Sequence, residues 1–257
     1  MKHKNLFKII AVVMMLGVCC GCAAGKGQKS EIQKAEAARN LGEAYMAEGN
    51  YTKALRELLK AEQLHPDDPY LHNDLGLTYM GKDRPEKAVE HFEKAIDLKS
   101  DYSPARNNLG SAYIALEQWD KAIACFKKVS DDLLYMTPQY PLSNLGYVYY
   151  KKGEYHKAER YYLESLNLKH DFPSALHGLG QVYIATGDYE KAIKRLKKAT
   201  EKAPEAAEIY MDLARAYTKS HHYNKAVQIY KKAADIAGDT ALGEKAEAQA
   251  EAVLEMW

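Results

Sequence analysis

Leu75-Gly76-Leu77-Thr78-Tyr79 is one of six copies of a single phrase, and the spacing of those copies decides the fold. Leu-Gly-x-x-Tyr also stands at Leu41, Gly42, Tyr45; at Leu109, Gly110, Tyr113; at Leu145, Gly146, Tyr149; and at Leu179, Gly180, Tyr183. A sixth copy, Leu213, Ala214, Tyr217, has alanine for glycine. The leucines are separated by 34, 34, 36, 34 and 34 residues. Leu and Tyr four apart lie on one face of a helix. Nine residues after each tyrosine comes an alanine (Ala54, Ala88, Ala122, Ala158, Ala192, Ala226), each preceded by a lysine. Four further on stands a large residue: Leu58, Phe92, Phe126, Tyr162, Leu196, Tyr230. Three beyond that the residue is mostly small: Ala61, Ala95, Val129, Ser165, Ala199, Ala233. This is the stripe of a second helix, and its small residues let the two helices approach closely. Gly49-Asn50, Gly153-Glu154 and Gly187-Asp188 are turn signals between them.

The pattern is similar to the tetratricopeptide repeat. The resemblance covers residues 35–240 and implies an all-α, right-handed α-solenoid of six helix hairpins. The hairpins are 35–68, 69–102, 103–138 (with a two-residue insertion), 139–172, 173–206 and 207–240, and residues 241–257 form a capping helix. One hairpin cannot bury its own apolar face, whereas a stack of them makes a continuous core. The tyrosine stripe reads as framework because its period is that of the repeat. The lysine row before the alanines reads as a solvated face.

Composition narrows the function. In 257 residues, 36 Lys+Arg oppose 35 Asp+Glu, which excludes bulk phosphate neutralisation, so no nucleic-acid partner is expected. With 47% hydrophobic and 28% charged residues the chain is globular rather than disordered. Four cysteines, three of them between Cys19 and Cys22, do not make a disulfide scaffold. Cys125 reads as a small core residue.

The first residues read as an address. Lys2, Lys4 and Lys8 flank the apolar run Ile9 to Val18, which is too short to span a bilayer that needs about 20 residues. Cys19-Cys20-Gly21-Cys22-Ala23-Ala24 resembles the junction of a bacterial lipoprotein signal. The resemblance makes 1–21 a signal peptide, Cys22 the lipidated residue and 22–34 a tether. Ala23, in place of Asp, implies the periplasmic face of the outer membrane. Acyl chains hold a protein on a membrane at about 0.8 kcal/mol per buried CH₂.

The resemblance also places a partner groove along the first helix of each repeat. Its residues are Asn40, Asn73, Leu77, Asn107, Asn108, Ser111, Asn144, Tyr147, Tyr150, His177, Gln181, Met211 and Arg215. The amides before the signature leucine, Asn40, Asn108 and Asn144, can both donate to and accept from a peptide backbone, or can simply order the helix. Asp74, Gly178 and Asp212 interrupt that ladder.

The longer interval falls in Ser130-Asp131-Asp132-Leu133-Leu134-Tyr135-Met136-Thr137-Pro138, which is either a longer loop or a recognition element. The phrase LLYMTPQYPLSNLGYVYYKKGEY, with six repeats and a lipoprotein signal, resembles the type IV pilus biogenesis lipoproteins, the pilotins of the PilF, PilW and Tgl kind. That implies a protein partner, a secretin subunit whose insertion and multimerisation the chain assists. An alternative keeps the scaffold and changes the client to exopolysaccharide export or cell-wall enzyme complexes. Phosphate-loop, zinc-protease and nucleophile-elbow motifs are missing, so no enzyme activity, cofactor or small-molecule substrate is expected. His221-His222 lacks an evident third ligand, so no metal site is expected either.

Overall fold

The computed structural model describes residues 29–256. The expected signal peptide (1–21) and the expected lipidation residue Cys22 lie outside the described residues. Helix α1 covers residues 29–47. It is followed by α2 (Tyr51–Leu64), α3 (Pro69–Gly81), α4 (Pro85–Leu98), α5 (Ser103–Ala115) and α6 (Trp119–Ser130). Then come α7 (Gln139–Lys151), α8 (Tyr155–Leu168), α9 (Pro173–Thr186), α10 (Tyr189–Lys202), α11 (Ala207–Lys219), α12 (Tyr223–Ala237) and α13 (Ala241–Glu255). No strand occurs among the described residues. The fold is all-α and of the helix-hairpin repeat class. No helix of the described residues is long and apolar enough to cross a membrane.

Of the expected tether 22–34, residues 22–28 lie outside the described residues. Residues 29–34 are already helical, and Ala35 is buried in one cluster with Leu58, Ala61, Leu71 and Leu75. The buried face of α1 therefore starts with the first residue of the first hairpin, Ala35.

Each hairpin turns in the same way. The signature tyrosine's carbonyl accepts a hydrogen bond from the backbone N–H five residues on. The pairs are Asn50 to Tyr45 (2.8 Å), Arg84 to Tyr79 (2.9 Å), Gln118 to Tyr113 (2.8 Å), Glu154 to Tyr149 (2.9 Å), Asp188 to Tyr183 (2.9 Å) and His222 to Tyr217 (2.9 Å). This is the bond of a Schellman helix end, which needs a left-handed residue just before the donor. Gly49, Gly153 and Gly187 supply it in three turns; Asp83, Glu117 and His221 are forced into it in the others, with φ of 56°, 55° and 60°. Side chains start several helices: Asn50 accepts from Lys53 N–H, Asp68 from Tyr70 N–H and Thr240 from Gly243 N–H. Pro69, Pro85 and Pro173 stand in the first turn of their helices, where an N–H is dispensable.

The chain divides into two compact units, one ending at Ala112 and the other beginning at Tyr113. In the first unit α3 packs on α2 and α4. Gly42 lies under Leu58, where a methyl group would come within 2.7 Å of the leucine side chain. Leu75 and Phe92 are fully buried, whereas Leu41 is exposed, because no hairpin precedes it among the described residues. In the second unit consecutive helices from α6 to α13 pack in sequence. There α7 also touches α9, α9 touches α11, and α11 touches α13. The first helices of successive hairpins therefore form one layer, and α13 takes the next place in it. Tyr162 is buried where two glycines approach it, Gly146 from its own hairpin and Gly178 from the next.

The lysine row does more than meet solvent. Lys53, Lys121, Lys157, Lys191 and Lys225 each hold the ammonium 5.1 to 5.6 Å from the ring centre of their own hairpin's signature tyrosine. These are cation–π contacts worth about 0.5–1 kcal/mol at exposed sites. Cys125, expected in the core, is only partly buried on α6.

Candidate partner-binding site

In the second unit the layer of first helices brings four of the expected groove residues around one cavity. His177 and Gln181 come from α9, and Met211 and Arg215 from α11. Glu208, Asp212, Tyr230, Leu242, Lys245 and Gln249 complete a lining that encloses about 310 Å³. Asp212 is its organising residue. His177 Nε2 donates to Asp212 Oδ2 at 2.8 Å, Gln181 Nε2 donates to the same oxygen at 2.7 Å, and Arg215 donates to Oδ1 at 2.7 Å. Burial alone would raise the Asp212 carboxyl, but the His177 hydrogen bond and the Arg215 charge outweigh it and hold the group below its ordinary value. The carboxylate is ionised and acceptor-only, so the proton on the bonded nitrogen belongs to His177. Tyr150, from α7, is half-buried, and that burial raises its phenol. Asn144 and Tyr147 lie on the same helix, both partly buried.

The first unit carries a second polar face. Asn108 Nδ2 on α5 donates to Asn73 Oδ1 on α3 at 2.9 Å, so Asn73 is buried and occupied by its neighbour. Ser111 Oγ donates to the Asn107 carbonyl at 3.3 Å. Asn40 and Leu77 are exposed. Arg39 binds Asp68 at 2.7 Å and lies 3.8 Å from Asp74. Asp74 Oδ2 is buried with no donor. Burial first, then the negative charge and the hydrogen-bonding carboxyl of Glu43, push Asp74 up to about 7, against the opposing pull of Arg39. Tyr70 and Tyr102 meet edge to face at 5.2 Å beside this cluster, and burial pushes the Tyr102 phenol up to about 12.

Sequence models of the tetratricopeptide repeat match residues 42–83, 79–133, 139–205 and 183–250, well over half of the 257 residues. The chain belongs to the tetratricopeptide-repeat family. No curated protein matches it in sequence. Among solved structures, this tetratricopeptide-repeat chain is similar to PilW, described as a widely conserved type IV pilus biogenesis factor. That match has a TM-score of 0.75 and 21% identity, and covers 82% of this chain and 97% of PilW. It is also similar to Pseudomonas aeruginosa pilF, with a TM-score of 0.71 and 20% identity over 87% of this chain and 99% of that one. YrrB, described as a TPR protein with an unusual peptide-binding site, aligns with a TM-score of 0.52 and 22% identity over 74% of this chain and 97% of its own. At these identities the likenesses establish the shared tetratricopeptide fold.

The insertion in the third tetratricopeptide repeat forms an exposed apolar tip. Leu134 N–H is tied to the Asp132 carboxylate at 3.0 Å and Tyr135 N–H to the Asp132 carbonyl at 3.1 Å. This turn leaves Leu133, Leu134 and Met136 with 98%, 88% and 90% of their surface in solvent. Three such side chains in four positions form an apolar cluster that a folded chain ordinarily covers.

Two parts of these surfaces escaped the sequence reading. Asp212 and Asp74 were legible only as interruptions of an amide ladder. In the structure each is the acid around which the neighbouring polar side chains gather. The signal available was position: both occupy the ladder register itself.

Proposed function

We propose that this chain is a non-enzymatic scaffold for a partner polypeptide and serves as a pilotin of type IV pilus biogenesis. In this reading it is a lipoprotein held through Cys22 on the periplasmic face of a bacterial outer membrane, where it promotes insertion and multimerisation of a secretin. The observation that carries the reading is the extent of the structural match. PilW, described as a type IV pilus biogenesis factor, and Pseudomonas aeruginosa pilF align over 97% and 99% of their own lengths. The α9–α11–α13 cavity supports a polypeptide occupant. It sets Met211, Tyr230 and Leu242 beside charged Asp212, Arg215 and Lys245, a mixture suited to a side chain and its backbone amides. The Leu133–Met136 tip supplies the apolar contact that a secretin segment would cover.

Deleting the gene and blotting for heat-resistant secretin multimers tests the client. Loss of multimers and of piliation is expected; normal multimers with normal pili reject the pilotin role. Crosslinking in intact cells that captures an exopolysaccharide-export or cell-wall protein, and no secretin, assigns the scaffold to that assembly. Cys22→Ala is expected to end acyl labelling and release the protein from membranes. Persistent labelling means that another residue carries the anchor.

A further inference from the structure

The second hairpin breaks the lysine rule of its neighbours. Lys87 pairs with Glu90 at 2.9 Å, and the Tyr79 ring is instead covered by His91, with ring centres 5.2 Å apart. This position on α4 brings His91 against His72 of α3, nineteen residues earlier, with Nδ1 to Nδ1 at 3.1 Å. His72 is buried, and its other nitrogen, Nε2, lies 2.7 Å from the Pro66 carbonyl oxygen. A carbonyl only accepts, so Nε2 carries the proton and the His72 Nδ1 lone pair is turned to His91. In the metal-free protein His91 Nδ1–H donates to that lone pair, and a metal ion bound by both nitrogens would take the place of this proton.

Glu62 of α2 supplies the third group. Its Oε1 lies 3.9 Å from His72 Nδ1, and the ligand atoms of Glu62, His72 and His91 all lie within 4.8 Å of one another. Around a tetrahedral zinc ion with bonds of about 2.0–2.2 Å, adjacent ligand atoms stand about 3.3 Å apart. The two histidine nitrogens already meet that spacing, at 3.1 Å, and the partly exposed Glu62 carboxylate stands 3.9 Å from His72 Nδ1. The Pro66 carbonyl is the outer-shell acceptor that a metal-bound imidazole ordinarily has, holding the ring in the tautomer that ligates.

We propose that Glu62, His72 and His91 form a binding site for a divalent transition-metal ion, zinc(II) by its donor set, with a fourth position open to water. Two borderline imidazole nitrogens beside one hard carboxylate oxygen favour zinc over magnesium or calcium, which take oxygen ligands. The ion replaces the shared proton and ties α2, α3 and α4 together, thereby fastening the first hairpin to the second. The site does not depend on the pilotin reading.

Cobalt(II) titration of metal-free, untagged protein tests it, with zinc(II) displacement and thermal melts alongside. One saturable equivalent with the visible spectrum of a tetrahedral site is expected, together with a zinc-dependent rise in melting temperature. His91→Gln, checked for unchanged helical circular dichroism, is expected to lose both signals, and Glu62→Gln to weaken binding. The double variant His221→Ala/His222→Ala is expected to retain them. Absence of saturable binding, binding unchanged in His91→Gln, or binding lost in the His221/His222 variant overturns the proposal.

Discussion

His177 Nε2 on α9 meets Asp212 Oδ2 on α11 at 2.8 Å, so one hydrogen bond joins the fifth repeat to the sixth on the floor of the cavity. Gln181 and Arg215 converge on the same carboxylate. Removing it in Asp212→Ala strands three donors and is expected to destabilise the protein by about 1–3 kcal/mol. Urea unfolding measures this. A change below experimental error would show that water replaces the acid without cost.

Asp74 gives a pH dependence of definite sign. Its folded-state value of about 7 lies above the ordinary aspartate value of 3.8, so between those values the folded chain holds more protons than the unfolded one. Its contribution is complete at the acid end and is lost as pH rises from about 4 to about 7. Arg39, Glu43 and Asp68 face the same cluster, and the comparison with Asp74→Asn isolates the one carboxyl. Stability measured at pH 5 and pH 8 should fall less in Asp74→Asn than in the parent. An equal fall in both proteins refutes the assignment.

Gly178→Ala drives a methyl group into the Tyr162 ring, which Gly146 already bounds on its own hairpin's side. Tyr162 is 2% exposed, with both glycines close against its ring. Overpacking of this kind costs about 1–3 kcal/mol. The melting temperature should drop, and an unchanged value would mean that the two helices separate without penalty.

Glu117 occupies a turn position at φ 55° that three other hairpins fill with glycine. The left-handed conformation costs a side-chain-bearing residue about 1–2 kcal/mol, partly offset by the extra chain entropy that glycine loses on folding. Glu117→Gly is therefore expected to stabilise by about 0.5–1 kcal/mol. Equilibrium unfolding would register it, and destabilisation would show that the Glu117 side chain makes a contact worth more than the strain.

Leu133→Ser with Leu134→Ser touches almost fully exposed side chains. Stability should stay within about 0.5 kcal/mol of the parent, as for other surface changes. Capture of the partner in intact-cell crosslinking should fall. Undiminished capture would remove the tip from the binding surface.

The repeat, its hairpins and its framework residues were legible in the sequence because they follow from local periodicity. A leucine and a tyrosine four apart share a helix face in any fold, and a 34-residue interval repeats one packing problem along the chain. Even the insertion was visible as a 36-residue interval, although its full exposure was not. What periodicity cannot supply is the contact between non-equivalent positions on different helices. Asn73 with Asn108, His177 with Asp212 and His72 with His91 lie 35, 35 and 19 residues apart and obey no spacing rule of a single helix. The lysines over the tyrosine rings likewise needed both helices of a hairpin in place. Tertiary packing decided those pairings, because hydrogen bonds and ion pairs depend on distances of a few ångströms that only the packed helices establish.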